Sequence, residues 1–96
     1  MLATLALITA APGIAEDCSF NGIALQGPVA IVESFPDIRV QVVTSFPDLK
    51  VKTVAALPDE CGTWEFVDSF PDFTIQFVTS FPDIRIEYVT SFPGMP

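Results

Sequence analysis

Few residue types in this 96-residue chain could carry chemistry, and the first of them are its two cysteines, Cys18 and Cys61. A thiol pair does redox work when it forms a Cys-x-x-Cys unit or when a nearby cation lowers one thiol's pKa. The sequence supplies neither. In an oxidising compartment the pair is instead expected to form a structural disulfide, closing a loop of about 44 residues for about 4 kcal/mol in the loop-entropy model. The second group is Asp37, Asp48, Asp59, Asp72 and Asp83, each following a proline. Gathered at one point, such carboxylates are the oxygen donors that Ca²⁺ takes. The simpler expectation is that each Asp bonds the backbone of its own turn, because calcium solenoids pair Asp with Gly-rich turns and Pro stands there in this chain. No metal or cofactor is expected.

The remaining equipment for catalysis is thin. There is no histidine, which removes Ser-His and Cys-His catalysis and most zinc chemistry. Paired carboxylates could suggest a glycosidase, but a chain this short offers no evident cleft between them. Thr44, Thr79 and Thr90 are too sparse for a flat threonine face of the ice-binding kind. The net charge is −8, with only Arg39, Lys50, Lys52 and Arg85 on the positive side. That balance gives no electrostatic footprint for nucleic acid or an anionic membrane. An enzyme is not expected.

At the N-terminus, Met1 to Ala15 carry no charge, and an apolar run from Leu2 to Ala11 is broken by Pro12 and Gly13. This is the layout of a signal peptide, with Gly13 and Ala15 as the small residues before a cleavage site. The expected organisation is a leader over residues 1–15 and one domain over 16–96. Export to the periplasm or the cell exterior follows, consistent with the disulfide.

The elements that must position these residues are written as a repeat. From Ser34 the chain runs Ser-Phe-Pro-Asp and then seven residues of strand character. It repeats this at Ser45, Ser69 and Ser80, and a final Ser91-Phe92-Pro93-Gly94 opens a unit that stops. In each unit Pro and Asp supply turn chemistry, and the rest alternates with period two. Phe73, Ile75 and Phe77 are expected on one face and Thr74 and Gln76 on the other; Ile84, Ile86 and Tyr88 repeat the pattern, with Arg85 and Glu87 outward. Recurrent Pro excludes helix. The expected class is therefore all-β, a compact solenoid-like stack of short strands from an SFPD repeat of about eleven residues. Phe35, Phe46, Phe70, Phe81 and Phe92, each just before Pro, are expected to be extended and to stack as a ladder inside the fold. Midway, Ala56 to Asp68 departs from the repeat and contains Gly62. That insertion reads as the point where the chain doubles back, so that the two halves run side by side as a double-wound ribbon.

Asp17 to Gly22 (Asp-Cys-Ser-Phe-Asn-Gly), the serial Ser-Phe-Pro-Asp units, Pro58 to Val67 (Pro-Asp-Glu-Cys-Gly-Thr-Trp-Glu-Phe-Val) and the terminal Ser-Phe-Pro-Gly together resemble the 7(1) septoil knot domain family of small bacterial proteins. The resemblance covers about Cys18 to Pro93. It implies an all-β, solenoid-like fold whose backbone forms a seven-crossing torus knot, in a family without an assigned biochemical activity.

Two functional classes follow. The first is a structural or interaction protein, disulfide-stapled and facing an unknown protein or glycan, with a homo-oligomer as one form. The second is a self-assembling, adhesin-like β-protein whose strands pair edge to edge, against which regular Pro and the outward charges act. A calcium-binding solenoid is a weaker third.

Overall fold

The computed structural model describes residues 13–96. The expected leader lies outside the described residues except for Gly13, Ile14 and Ala15; of these, Ile14 packs against the core.

The fold contains a short antiparallel hairpin, β1 (Ser19–Phe20) and β2 (Ile23–Ala24), and six further strands. Asn21 and Gly22 join the hairpin with φ of 51° and 81°, the positive pair that a tight two-residue turn requires. The six strands are β3 (Gly27–Ile31), β4 (Ile38–Val42), β5 (Leu49–Thr53), β6 (Thr63–Phe66), β7 (Phe73–Phe77) and β8 (Ile84–Tyr88). They form a closed, all-parallel barrel in the order β3-β6-β5-β8-β4-β7.

That order alternates the two halves of the chain. Each of β3, β4 and β5 lies between two strands of the second half, so units consecutive in sequence do not lie directly on one another within either half. The doubling back expected near Gly62 takes this form. Parallel strands ordinarily need a long crossover, usually a helix. Here the register removes the need: Ile31 at the end of β3 and Ile38 at the start of β4 both pair with Ile75 of β7. The connection has only to step over one strand.

Each strand is offset by two residues from its neighbour, always in the same sense, so that stepping back two residues at every pairing returns to the starting residue after one circuit. Val29, Val40, Val51, Trp64, Ile75 and Ile86 consequently lie in one layer and are fully buried. Ile38, Leu49, Phe73 and Ile84 lie in the layer before it, also buried, with Gly27 and Gly62 at its other two positions. Gly62 has φ of 85°, and a Cβ there would meet the Lys50 carbonyl and the Gly94 backbone. Cys18, Phe20 and Leu25 join the same core from the hairpin side, where the Trp64 indole Nε1–H donates to the Leu25 carbonyl at 3.1 Å. Trp64 also meets Phe73 edge to face, with ring centroids 5.6 Å apart.

One expectation is reversed. Phe35, Phe46, Phe70, Phe81 and Phe92 do not stack inside, and they are not extended: they are 88–96% exposed, with φ between 54° and 57°. Leu57, in the irregular unit, behaves alike, with φ of 58°. The reason is the tightness of the connections. Val32 N–H donates to the Ile75 carbonyl and Asp37 N–H to the Thr74 carbonyl, so the chain between them must leave β7 and return one residue away. A left-handed residue before Pro makes that reversal and throws its side chain outward. The barrel interior, already filled by two inward residues per strand, has no place for the ring.

Candidate functional site

The aspartates sit where each turn meets the barrel, and three of them make the same two-part clamp. Asp37 N–H donates to the Thr74 carbonyl, while Asp37 Oδ2 accepts from Thr74 N–H at 2.9 Å and from Thr74 Oγ1 at 3.2 Å. Asp48 does this to Arg85 and Asp83 to Arg39, each carboxylate accepting at 2.8 Å. These partners are 37 or 44 residues away in the chain, so the expectation that each Asp caps its own turn is corrected. The acceptor is needed because the second residue of each strand otherwise has an unsatisfied amide facing the turn.

The other units show the same logic by exception. Asp72 N–H donates to the Pro28 carbonyl, but Pro28 has no amide to give back. The Asp72 carboxylate lies instead against Gly27, where a Cβ would come within 2.5 Å of Oδ2. In the unfinished last unit Gly94 replaces Asp, and its backbone exchanges two 2.8 Å hydrogen bonds with Lys50. Asp59 bonds only locally through its amide, to the Leu57 carbonyl, and makes no clamp; the turn there closes on itself, Glu60 N–H donating to Thr63 Oγ1 while the Glu60 carbonyl accepts from Thr63. The five aspartates are therefore spread around the barrel, each at its own turn. Among the described residues no three His, Cys, Asp or Glu side chains come close enough to hold a metal ion.

Cys18 and Cys61 form a disulfide with Cα atoms 6.0 Å apart. It ties the N-terminal hairpin to the insertion between the two halves. Cys18 is buried and Cys61 is half-buried, which makes the bond part of the core rather than a surface thiol pair.

What the surface does present is apolar. Monomeric proteins rarely expose apolar patches above a few hundred Å², whereas five Phe and one Leu stand 82–96% exposed here at the corners of the barrel. A second set lies where the strands end. Ile31, Val42, Phe66, Phe77 and Tyr88 occupy the third inward position of their strands and remain 36–54% exposed, forming with Thr53 a ring around one mouth of the barrel. Three shallow grooves border this ring, of about 540, 410 and 210 Å³. Burial raises the pKa of the Tyr88 hydroxyl above its ordinary value. Both sets were hidden in the sequence: period-two alternation marks the inward face of a strand and does not say how many layers the interior accepts. The available signal for the corners was arithmetic, since two inward residues from each of six strands already fill a narrow barrel.

The chain matches none of the curated proteins with which it was compared. It does match a family defined by domain. Residues 22–96, from the hairpin turn through the last docked turn, match the 7(1) septoil knot domain, and the chain belongs to the septoil knot domain family.

Proposed function

We propose that the protein is an exported, non-enzymatic interaction protein, whose alternating halves wind as a two-start solenoid and thread the seven-crossing torus knot for which its family is described. The observation that carries the interaction reading is the set of corner residues. A bulky residue with φ near 55° is a conformational outlier costing on the order of 1–3 kcal/mol. Asn or Gly would meet the turn's needs at less cost. All six corners nevertheless hold a large apolar residue, including the irregular unit, where Ser gives way to Ala56 and Phe to Leu57. Large apolar side chains kept in a strained and solvated position six times, five of them Phe rings, contribute little to folding and are available to a partner.

A variant with Phe35, Phe46, Phe70, Phe81 and Phe92 all changed to Asn tests this. It is expected to be at least as stable as the parent and to lose the partners that the immobilised parent retains from the exported fraction. Unchanged retention, or a marked loss of stability, overturns the reading. The second functional class, assembly by edge pairing, is disfavoured because every strand of a closed barrel is paired on both sides. Size-exclusion chromatography with thioflavin staining separates the two classes, a non-staining soluble species removing the second.

A further inference from the structure

We infer that the barrel mouth formed by the ends of β3, β6, β5 and β8 binds a cationic, amphipathic peptide segment; this rests on the interaction-protein reading above and adds a second contact surface, separate from the corners. The register places Ile31, Phe66, Thr53 and Tyr88 next to one another along that arc. Two grooves run between them. One, of about 410 Å³, lies between Thr53, Phe66 and Tyr88; the other, of about 210 Å³, lies between Ile31, Phe66 and Asp68. Phe66 lines both, so the two adjoin at its ring and make one strip, mainly apolar on the Tyr88 side and mixed on the Asp68 side. Three strand spacings make it about 14 Å across, the reach of four to five extended residues.

Charge selects the occupant. Glu65 precedes Phe66, Glu87 precedes Tyr88, Glu33 follows Ile31 by two residues and Asp68 lines the groove itself; Lys52 beside Thr53 is the cation at this end of the four strands. The third groove, between β4 and β8, is bordered by Arg85 and is left out of the site for that reason. A second copy of this chain carries the same net charge of −8, and an anionic membrane repels it likewise. Apolar side chains seated on Phe66, with Lys or Arg reaching the surrounding carboxylates, answer both features of the strip.

The molecule contains its own reporter. Trp64, the single tryptophan, is buried and meets Phe66 edge to face, with centroids 6.3 Å apart. An amphipathic Leu/Lys peptide titrated into the full chain is expected to change Trp64 emission saturably, with affinity falling as salt rises. Reversing Glu65→Lys with Asp68→Lys, both on the surface, should weaken binding at least tenfold; Phe66→Leu should weaken it while preserving the fold. No saturable change, an equal response to polylysine or to phosphatidylcholine vesicles, insensitivity to the charge reversals, or self-association that the peptide does not reverse each overturns the inference. The five-Asn corner variant should bind the peptide as the parent does. Loss of peptide binding with retained partner capture refutes this site alone, and loss of the corner effect with retained peptide binding refutes the corner reading alone.

Discussion

Asp48 satisfies both backbone groups of Arg85, 37 residues further along the chain: its N–H donates to the Arg85 carbonyl at 2.8 Å, and its Oδ2 accepts from the Arg85 N–H at 2.8 Å. One side chain thus joins a turn of the first half to a strand of the second. Hydrogen bonds to a charged acceptor contribute about 1.5–3 kcal/mol, and exposure lowers that figure. Asp48→Ala is expected to cost about 1–2 kcal/mol in a urea titration. Asp59→Ala, at the turn whose hydrogen bonds stay local, should cost well under 1 kcal/mol. Equal effects at the two sites would show that the clamp contributes nothing particular.

Phe46 and Ile86 are both apolar members of the repeat, and they should respond oppositely. Ile86→Ala removes a fully buried side chain and is expected to cost about 2–5 kcal/mol. Phe46→Asn relieves a left-handed bulky residue and should leave stability unchanged or raise it by up to about 1 kcal/mol. Thermal or urea unfolding of the two variants checks the pair together.

Reduction of Cys18–Cys61 should lower stability by about 4 kcal/mol, since it releases a loop spanning a sequence separation of 43. The measurement is the urea midpoint with and without a thiol reductant. A shift within error would mean that the hairpin holds its place through Leu25, Phe20 and the Trp64 hydrogen bond alone.

Gly62→Ala places a Cβ against the Lys50 carbonyl and the Gly94 backbone at a φ that L side chains rarely adopt. The expected cost is about 2–4 kcal/mol, because backbone on both sides cannot rotate away as a side chain would. Gly22→Ala, with open space around its Cβ, should cost less; the difference in melting temperature reads the packing contribution directly.

Refolding should be slow. Five Phe-Pro bonds and Leu57-Pro58 isomerise in tens of seconds, and every pair of strands in the barrel joins residues of opposite halves. A phase of minutes or longer is expected after denaturant dilution, accelerated only in part by a prolyl isomerase. Complete recovery in a single phase within one second would contradict the non-local pairing.

The sequence by itself determined the strands and their faces. Period two in Phe73 to Phe77 and Ile84 to Tyr88 is a local property of the chain, and it names Phe73, Ile75, Ile84 and Ile86 as core residues without any knowledge of their neighbours. The eleven-residue repeat, the break before Gly62 and the pairing of the only two cysteines were legible for the same reason. Asn21-Gly22 also announced a hairpin, a turn signal that the stronger repeat overshadowed. What only the tertiary structure decided was closure. Closure sets how many side chains fit inside, and so turns the corner phenylalanines outward and leaves Phe77 and Tyr88 at the rim. It also brings Thr74 to Asp37 and Arg85 to Asp48. Such pairings depend on the register between strands about 37 residues apart, and no local pattern carries that register.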